Sequence, residues 1–342
     1  MLDVTAIARD PLWFAHRYDE TRDEVHFLPL TRDEHRAATF ITKDYLPADR
    51  EPTVIDRRTA LAAAADCTAP IHFIFHSAFC CSTLVARAFD REGIAMGLKE
   101  PTILNDIVGW RRRGGAARDV AERLDGILSL LSRPFSAGEA LIIKPSNVLN
   151  GLARLILTMR PGSNALLLHA PLETFLTSVA KKDIDGRLWV RELFIGLRKD
   201  GLVQNLGFND EQFFGQTDLQ IAAAGWLAQQ ALFASLVEEL GPTRVRSLDS
   251  ETLLARPDDT IAELARLYGL RLSPADIEEI GRGPAFTRHA KTNQDFTAQD
   301  RTEEYRDATA AHGDEIAKVG QWAQAVADFA GIPMKLGAPL LS

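Results

Sequence analysis

The chain has 342 residues, of which 46% are hydrophobic and 25% are charged, so it can fold around one large core or two modest ones. This composition excludes disordered and collagen-like chains. Thirty-nine Lys and Arg residues against 47 Asp and Glu residues give a formal net charge of −8, which argues against a surface built to bind nucleic acid. We therefore expect no nucleic-acid partner, and we expect any bound anion to lie in a local pocket.

Cysteine content and hydropathy bear on where the protein works. Cys67, Cys80 and Cys81 are too few for a disulfide framework in a chain of this length. The first twenty residues hold no apolar run long enough for a secretion signal. The longest uncharged run, residues 219–237, contains glutamines and many alanines, so it predicts a buried helix rather than a membrane span. These features predict a cytoplasmic protein.

Residues 1–68 differ in composition from the rest of the chain. They mix short apolar stretches with many charges, and residues 25–30 predict a strand. We interpret this part as an N-terminal accessory segment. Residues 71–75 are continuously apolar, which is typical of a strand buried on both faces of a parallel sheet. Residues 84–89 then have helical spacing, and Gly93 predicts the end of that helix.

The same alternation of strand and helix recurs along the chain. Further strands are predicted at residues 140–143, 165–168 and 244–248, and further helices at residues 149–159, 172–182 and 258–268. Strands that alternate with helical crossovers form a parallel sheet between two layers of helices. The sequence therefore predicts a three-layer α/β domain over residues 69–300, followed by a helical segment, residues 301–342, that packs on it.

A loop of mostly small residues joins the first of these strands to its helix, and it reads His76-Ser77-Ala78-Phe79-Cys80-Cys81-Ser82-Thr83. The first N–H groups of a helix have no partners within the helix, so such a loop can bind an anion, with the hydroxyl groups of Ser82 and Thr83 as added donors. The loop has no glycine, lysine or arginine, so it is not the G-x-x-x-x-G-K-[ST] loop of ATPases and GTPases. A plain Ser/Thr helix cap is the alternative interpretation.

Four blocks of residues occur in a particular order and spacing. They are residues 75–88, Gly97-Leu98-Lys99-Glu100-Pro101, Ile143-Lys144-Pro145-Ser146-Asn147, and residues 166–177. Together, over roughly residues 70–290, they resemble the sulfotransferases that use 3′-phosphoadenosine 5′-phosphosulfate (PAPS). The resemblance implies a P-loop-type fold, PAPS as co-substrate with no metal, and transfer of a sulfuryl group to a hydroxyl or amine of a small-molecule or peptidyl acceptor.

The resemblance also implies which residues hold the donor. The family's R-S-G-T-T loop binds the 5′-phosphosulfate, and Phe79 to Thr83 stand in its place without the basic residue and the glycine. The donor-binding residues implied by the resemblance are Ala78, Phe79, Cys80, Cys81, Ser82 and Thr83 for the 5′-phosphosulfate, His169, Thr177 and Lys181 for the 3′-phosphate, and Arg288 in a segment that closes over the nucleotide.

Three residues are candidates for the chemistry. Lys144, followed by Pro145, matches the lysine of a D-K-x-P motif that contacts the sulfuryl bridge. Glu100 stands where the tyrosylprotein branch of the family keeps its general base, and His76 is the fallback base. Because the loop itself has no basic residue, Lys99 or Lys182 is a candidate for the missing positive charge.

Other interpretations of the same residues remain open. Cys81 and Arg87 have the C-x5-R spacing of cysteine phosphatases, although the residues between them suit a helix. A small-molecule kinase would need a P-loop lysine and a strand that ends in an aspartate of the Walker B type, but the loop has no lysine and residues 165–168 run into His169. The most serious alternative is a degenerate member that keeps the fold and binds a nucleotide or a partner without turnover. We find no metal-binding motif.

Overall fold

The computed structural model describes residues 3–287 and 298–341 of the chain. The strands are β1 (Trp13–Asp19), β2 (Glu24–Pro29), β3 (Thr53–Asp56), β4 (Ile71–His76), β5 (Ala95–Lys99), β6 (Ala140–Lys144), β7 (Ala165–His169) and β8 (Val245–Asp249). The α-helices are α1 (Val4–Arg9), α2 (Arg32–Ala37), α3 (Arg57–Ala63), α4 (Ser82–Ala88), α5 (Thr102–Arg112), α6 (Ala117–Leu131), α7 (Ala153–Met159), α8 (Leu172–Ala180), α9 (Asp183–Lys199), α10 (Asp210–Phe214), α11 (Asp218–Leu240), α12 (Ser250–Ala255), α13 (Pro257–Tyr268), α14 (Pro274–Gly281), α15 (Pro284–Thr287) and α16 (Ala298–Ala330).

The central sheet has five parallel strands in the order β5-β6-β4-β7-β8. Apart from β8, every residue of these strands is buried, which explains why the sequence shows unbroken apolar runs rather than alternation. The prediction of an α/β chain with a central parallel sheet between helices is confirmed. After β4 the chain forms β5 and β6 on one side of that strand and then β7 and β8 on its other side. At such a switch in strand order, a crevice is expected beyond the carboxyl end of β4.

The sequence predicted four strands in this sheet, and the fifth, β5, was missed. It is a short edge strand paired with β6 alone, and it contains Gly97 and no β-branched residue. The glycine is required by the packing of α4, because a Cβ atom there would lie 2.1 Å from the carbonyl oxygen of Ala86. The packing of α4 therefore requires Gly97, and a glycine in this position makes the sequence look less like a strand.

The two faces of the sheet carry different layers. One face packs against α4, α8, α11 and α13, with Val85, Phe175 and Trp226 among the buried side chains. The other face packs against α5, α6 and the N-terminal three-stranded antiparallel sheet, whose strand order is β1-β2-β3. The N-terminal residues therefore share one core with the central sheet. The domain boundary at residue 68 stays a prediction.

Helix α11 contains the long uncharged run. Most of its residues between Leu219 and Leu236 are buried in the protein interior, as the sequence predicted. Within residues 3–287 and 298–341, none of the helices combines the length and the apolar character that a membrane crossing requires.

Lys99, at the end of β5, connects the N-terminal segment to the central sheet. Its ammonium group is buried and donates hydrogen bonds to the carbonyl oxygens of His35 (2.8 Å) and Arg36 (3.0 Å), in the last turn of α2. Its own carbonyl oxygen accepts from the N–H of Ile41 (2.7 Å). Burial lowers the pKa of Lys99 to about 7, and the nearby Arg87 adds to this effect.

This contact predicts a pH dependence of stability. The folded chain releases the proton of Lys99 near pH 7 and the unfolded chain near the ordinary pKa of 10.5. Between these values the unfolded chain binds more protons, so the free energy of unfolding rises with pH, by up to about 1.4 kcal/mol per pH unit. Urea unfolding of the native chain and of Lys99→Met at pH 7 and pH 9.5 measures the difference. We expect the native chain to gain stability relative to the variant, and equal pH slopes would contradict this account.

Candidate functional site

The loop between β4 and α4 has an unusual backbone. Ala78, Phe79 and Cys81 have φ angles of 72°, 51° and 63°, in the left-handed region that favours glycine. This conformation costs a non-glycine residue about 1–2 kcal/mol, so the surrounding structure must hold it in place. Left-handed residues in such a loop turn successive N–H groups toward one side, and concavities of this kind bind anions.

Backbone contacts with β7 hold one side of this loop. The N–H of Ser77 donates to the carbonyl oxygen of Leu168 (3.1 Å), and the N–H of Ala170 donates to the Ser77 hydroxyl (3.3 Å). The Cys80 thiol donates to the same Leu168 oxygen (3.4 Å). Burial raises the pKa of Cys80 to about 12, so this side chain stays a thiol and acts as part of the packing.

His76 holds the other side of the loop. Its Nδ1 accepts from the N–H of Ala78 (3.1 Å), so its Nε2 carries the proton and donates to the carbonyl oxygen of Pro145 (3.0 Å), just beyond β6. The Asn150 amide donates to the His76 carbonyl oxygen (2.9 Å). Because both ring nitrogens have backbone partners, this arrangement favours a role in holding the loop over the predicted role as fallback base.

Lys144 and Glu100 meet at the carboxyl ends of β6 and β5. Lys144 is 2% exposed, and its ammonium group forms an ion pair with the Glu100 carboxylate. The N–H of Glu100 donates to the carbonyl oxygen of Lys144 (2.7 Å), and Glu100 has a φ of 54°. The ring of Phe40 lies 5.1 Å from the Lys144 ammonium. The structure thus brings together the two main catalytic candidates and adds an aromatic residue from the N-terminal segment.

His169 ends β7 at the same edge of the sheet. It is buried, and its Nδ1 has no hydrogen-bond partner in the part of the chain that the structure describes. Burial lowers the pKa of His169, and the carboxylate of Asp249, its neighbour in the register of β8, opposes this shift. The Nδ1 of His169 is therefore a buried polar atom without a hydrogen-bond partner among the described residues.

The remaining predicted donor-binding residues lie on the two helices that follow β4 and β7. Ser82 and Thr83 are buried in the first turn of α4, and Thr177 is buried on α8. Lys181 is exposed at the end of α8. Arg288 lies outside the described residues.

The contacts between Phe79 and its aromatic neighbours were not predicted from the sequence. The ring of Phe79 packs against Phe175 (5.8 Å between centroids) and Trp189 (5.2 Å). The Lys182 ammonium lies 6.0 Å from the centre of the Phe79 ring. Of the two lysines considered as substitute charges, Lys182 therefore lies beside the loop, whereas Lys99 points toward α2. These contacts join residues about 100 positions apart, and no sequence pattern signals them.

The geometry argues against two of the alternatives. Cys81 and Arg87 lie at opposite ends of α4, about 9 Å apart along its axis, so they do not form a phosphatase cradle. Asp249 ends β8 beside His169, which is where a kinase would place an aspartate. Its carboxylate instead caps α12, because it accepts hydrogen bonds from the N–H groups of Glu251 and Thr252 and from the Thr252 hydroxyl. In the described ranges there is no cluster of three or more His, Cys, Asp or Glu residues that could hold a metal ion.

Comparison with known proteins gives structural similarity without a sequence match. No protein-family model matches the sequence, and no curated protein matches it. Among solved structures, the sulfotransferase domain from the curacin biosynthetic pathway is similar, with a TM-score of 0.40 and 12% sequence identity, over 78% of this chain and 99% of that chain. The functional assignment therefore has to be argued from the site itself.

The strained loop predicts an unusual response to glycine. At Ala78, glycine removes the left-handed strain of about 1–2 kcal/mol and costs up to about 1 kcal/mol of backbone entropy. We expect Ala78→Gly to leave the free energy of unfolding unchanged or slightly raised in urea unfolding. The control, Ala231→Gly inside α11, should lower it by about 1 kcal/mol. An equal loss in both variants would contradict the strain assigned to the loop.

Proposed function

We propose that this chain transfers a sulfuryl group from PAPS to a hydroxyl or amine acceptor. The observation that carries the proposal is the position of the Lys144–Glu100 ion pair at the same sheet edge as the left-handed loop of residues 77–81. A concave set of N–H donors suits the phosphosulfate end of the donor, and a buried lysine next to it suits the bond that breaks.

The loop and its surroundings offer binding groups for both ends of the nucleotide. In our proposal the amides of residues 79–81, with the hydroxyl groups of Ser82 and Thr83, hold the 5′-phosphosulfate, and Lys182 supplies the positive charge that the loop lacks. His169, with its unpartnered Nδ1, binds the 3′-phosphate together with Thr177 and Lys181. Arg288 is proposed to close over the nucleotide.

In the proposed reaction each catalytic residue acts on one atom. Glu100 accepts the proton of the acceptor, whose oxygen or nitrogen forms the new bond to sulfur as the bond from sulfur to the bridging phosphate oxygen breaks. Lys144 stabilises the negative charge that develops on that bridging oxygen, and 3′-phosphoadenosine 5′-phosphate leaves. Fixed charge and alignment supply most of the catalysis in such a transfer.

One observation favours the second candidate, a protein that binds the nucleotide without turnover. Glu100 already neutralises Lys144 in a buried pair, and the phosphosulfate loop has no basic side chain of its own. In an active enzyme the donor has to draw Lys144 away from Glu100. In a binding protein the pair remains intact and helps to hold the sheet edge together.

The experiment is transfer of ³⁵S label from PAPS to a panel of alcohols, phenols and amines. We expect label transfer, a loss of about 10²–10³-fold in rate for Lys144→Ala, and a similar loss for Glu100→Gln with nucleotide binding retained. Lys318→Ala, an exposed lysine of α16, is the matched control and should keep full activity.

The possible outcomes separate the two candidates. Nucleotide binding by the native chain without label transfer to any acceptor supports the binding protein. Absence of both nucleotide binding and label transfer overturns both candidates. Label transfer at an unchanged rate in Lys144→Ala overturns the proposed enzymatic mechanism.

A further inference from the structure

Helix α9 carries an apolar stripe on its outer face. Ile184, Leu188 and Ile195 are 59%, 54% and 54% exposed, and their spacing of four and seven residues places them on one side of the helix. The opposite side of α9 is packed in the core. Isolated exposed apolar residues are ordinary, but an aligned row of them on one helix is typical of an interaction surface.

The carboxyl end of α9 borders a cavity. Its volume is about 380 Å³, and its lining residues are Arg198, Lys199, Val203, Gln204, Phe208, Asp210 and Phe213. Two more exposed aromatic rings lie beside it: Phe214, which is 87% exposed and follows the lining residue Phe213, and Phe329, which is 78% exposed and lies against Gly207. Because Arg198 and Lys199 of α9 line the cavity, it lies at the carboxyl end of the helix that carries the stripe, and we call the stripe and the cavity together the α9 face.

We propose that the α9 face binds the α9 face of a second copy of this chain, with the two α9 helices antiparallel about a twofold axis. In such a pair every contact occurs twice, so the surface has to be complementary to itself. The register that sets Leu188 opposite Ile195 of the other copy joins the apolar stripes. The same register sets Asp185 opposite Arg198 of the other copy.

The charges and the cavity fit this register. Arg191 falls opposite Glu192 of the other copy, so two charge pairs of this register are opposite in sign. Asp200 falls opposite Asp183, but its side chain is buried and pairs with Arg112 of its own chain. Arg191 also pairs with Asp218 of its own chain, but its side chain is 38% exposed and a guanidinium has five N–H donors. Ile184 falls opposite Lys199, at the rim of the cavity, so it can enter the cavity of the other copy.

The size of the surface indicates how the interface is built. A stable protein interface buries about 800 Å² on each partner, more than three aliphatic side chains supply. In the proposed pair the amino end of the other α9 arrives beside the cavity, where the exposed rings of Phe214 and Phe329 can add to the contact on both sides of the axis. A partner of a different kind would not require the charges of α9 to be complementary to those of a second, antiparallel α9.

Sedimentation equilibrium of the full chain over a range of concentrations tests the proposal. We expect a species with twice the monomer mass of 37.7 kDa. Ile195→Glu should shift the chain to monomer, and so should Glu192→Lys, which puts like charges opposite each other. Leu12→Glu, another exposed apolar position, and Glu238→Lys on α11 are the matched controls and should leave the dimer intact.

Cysteine cross-linking tests the register. Residues 188 and 195 of one helix are about 10 Å apart, too far for a disulfide within the chain, so the double variant Leu188→Cys with Ile195→Cys can only be linked between copies. We expect a covalent dimer under mild oxidation, formed much faster than in either single variant or in the native chain. A monomer at every concentration overturns the proposal. A dimer that survives Ile195→Glu and Glu192→Lys and does not cross-link overturns it as well.

Discussion

The hydrogen bonds that fix the end of β4 to its two neighbouring strands are the constraint on which the rest of the site depends. His76 bonds to Pro145 beyond β6, and Ser77 bonds to Leu168 in β7. Between these two anchors the chain has to turn within a few residues, and it does so with left-handed residues that are not glycine. The strain is thus supported by the parallel sheet, in which every residue of β4 and β7 is buried.

The parallel sheet also brings charged and polar side chains together at the carboxyl ends of its strands. The carboxyl ends of parallel strands meet at one edge, so Lys144, Glu100 and His169 lie near the loop although they are far apart in sequence. A net charge of −8 is compatible with an anion site because Lys144 and Lys182 act locally, over distances shorter than the screening length. The N-terminal segment contributes as well, because Lys99 ties it to β5 and Phe40 lies over Lys144.

The sequence was most informative where a feature is local. Unbroken apolar runs predicted β4, β6 and β7, and the loop was recognised from its place between a strand and a helix. Strand β5 was missed because α4 requires Gly97, and the position of Phe40 was missed because it arises from a contact across the fold. For the missing positive charge the sequence left Lys99 and Lys182 as alternatives, and Lys182 is the one that lies beside the loop. His76 shows the same limit, since its bond to the carbonyl oxygen of Pro145 is visible only once β4 and β6 are placed side by side.

The central claim is that the backbone amides of the loop bind an anion. Nuclear magnetic resonance of ¹⁵N-labelled protein titrated with 3′-phosphoadenosine 5′-phosphate tests it most directly, since each amide reports its own hydrogen bond. The account predicts saturable shifts that are largest for the amides of Phe79, Cys80 and Cys81. Saturable binding with unchanged loop amides, or no binding at all, would contradict it.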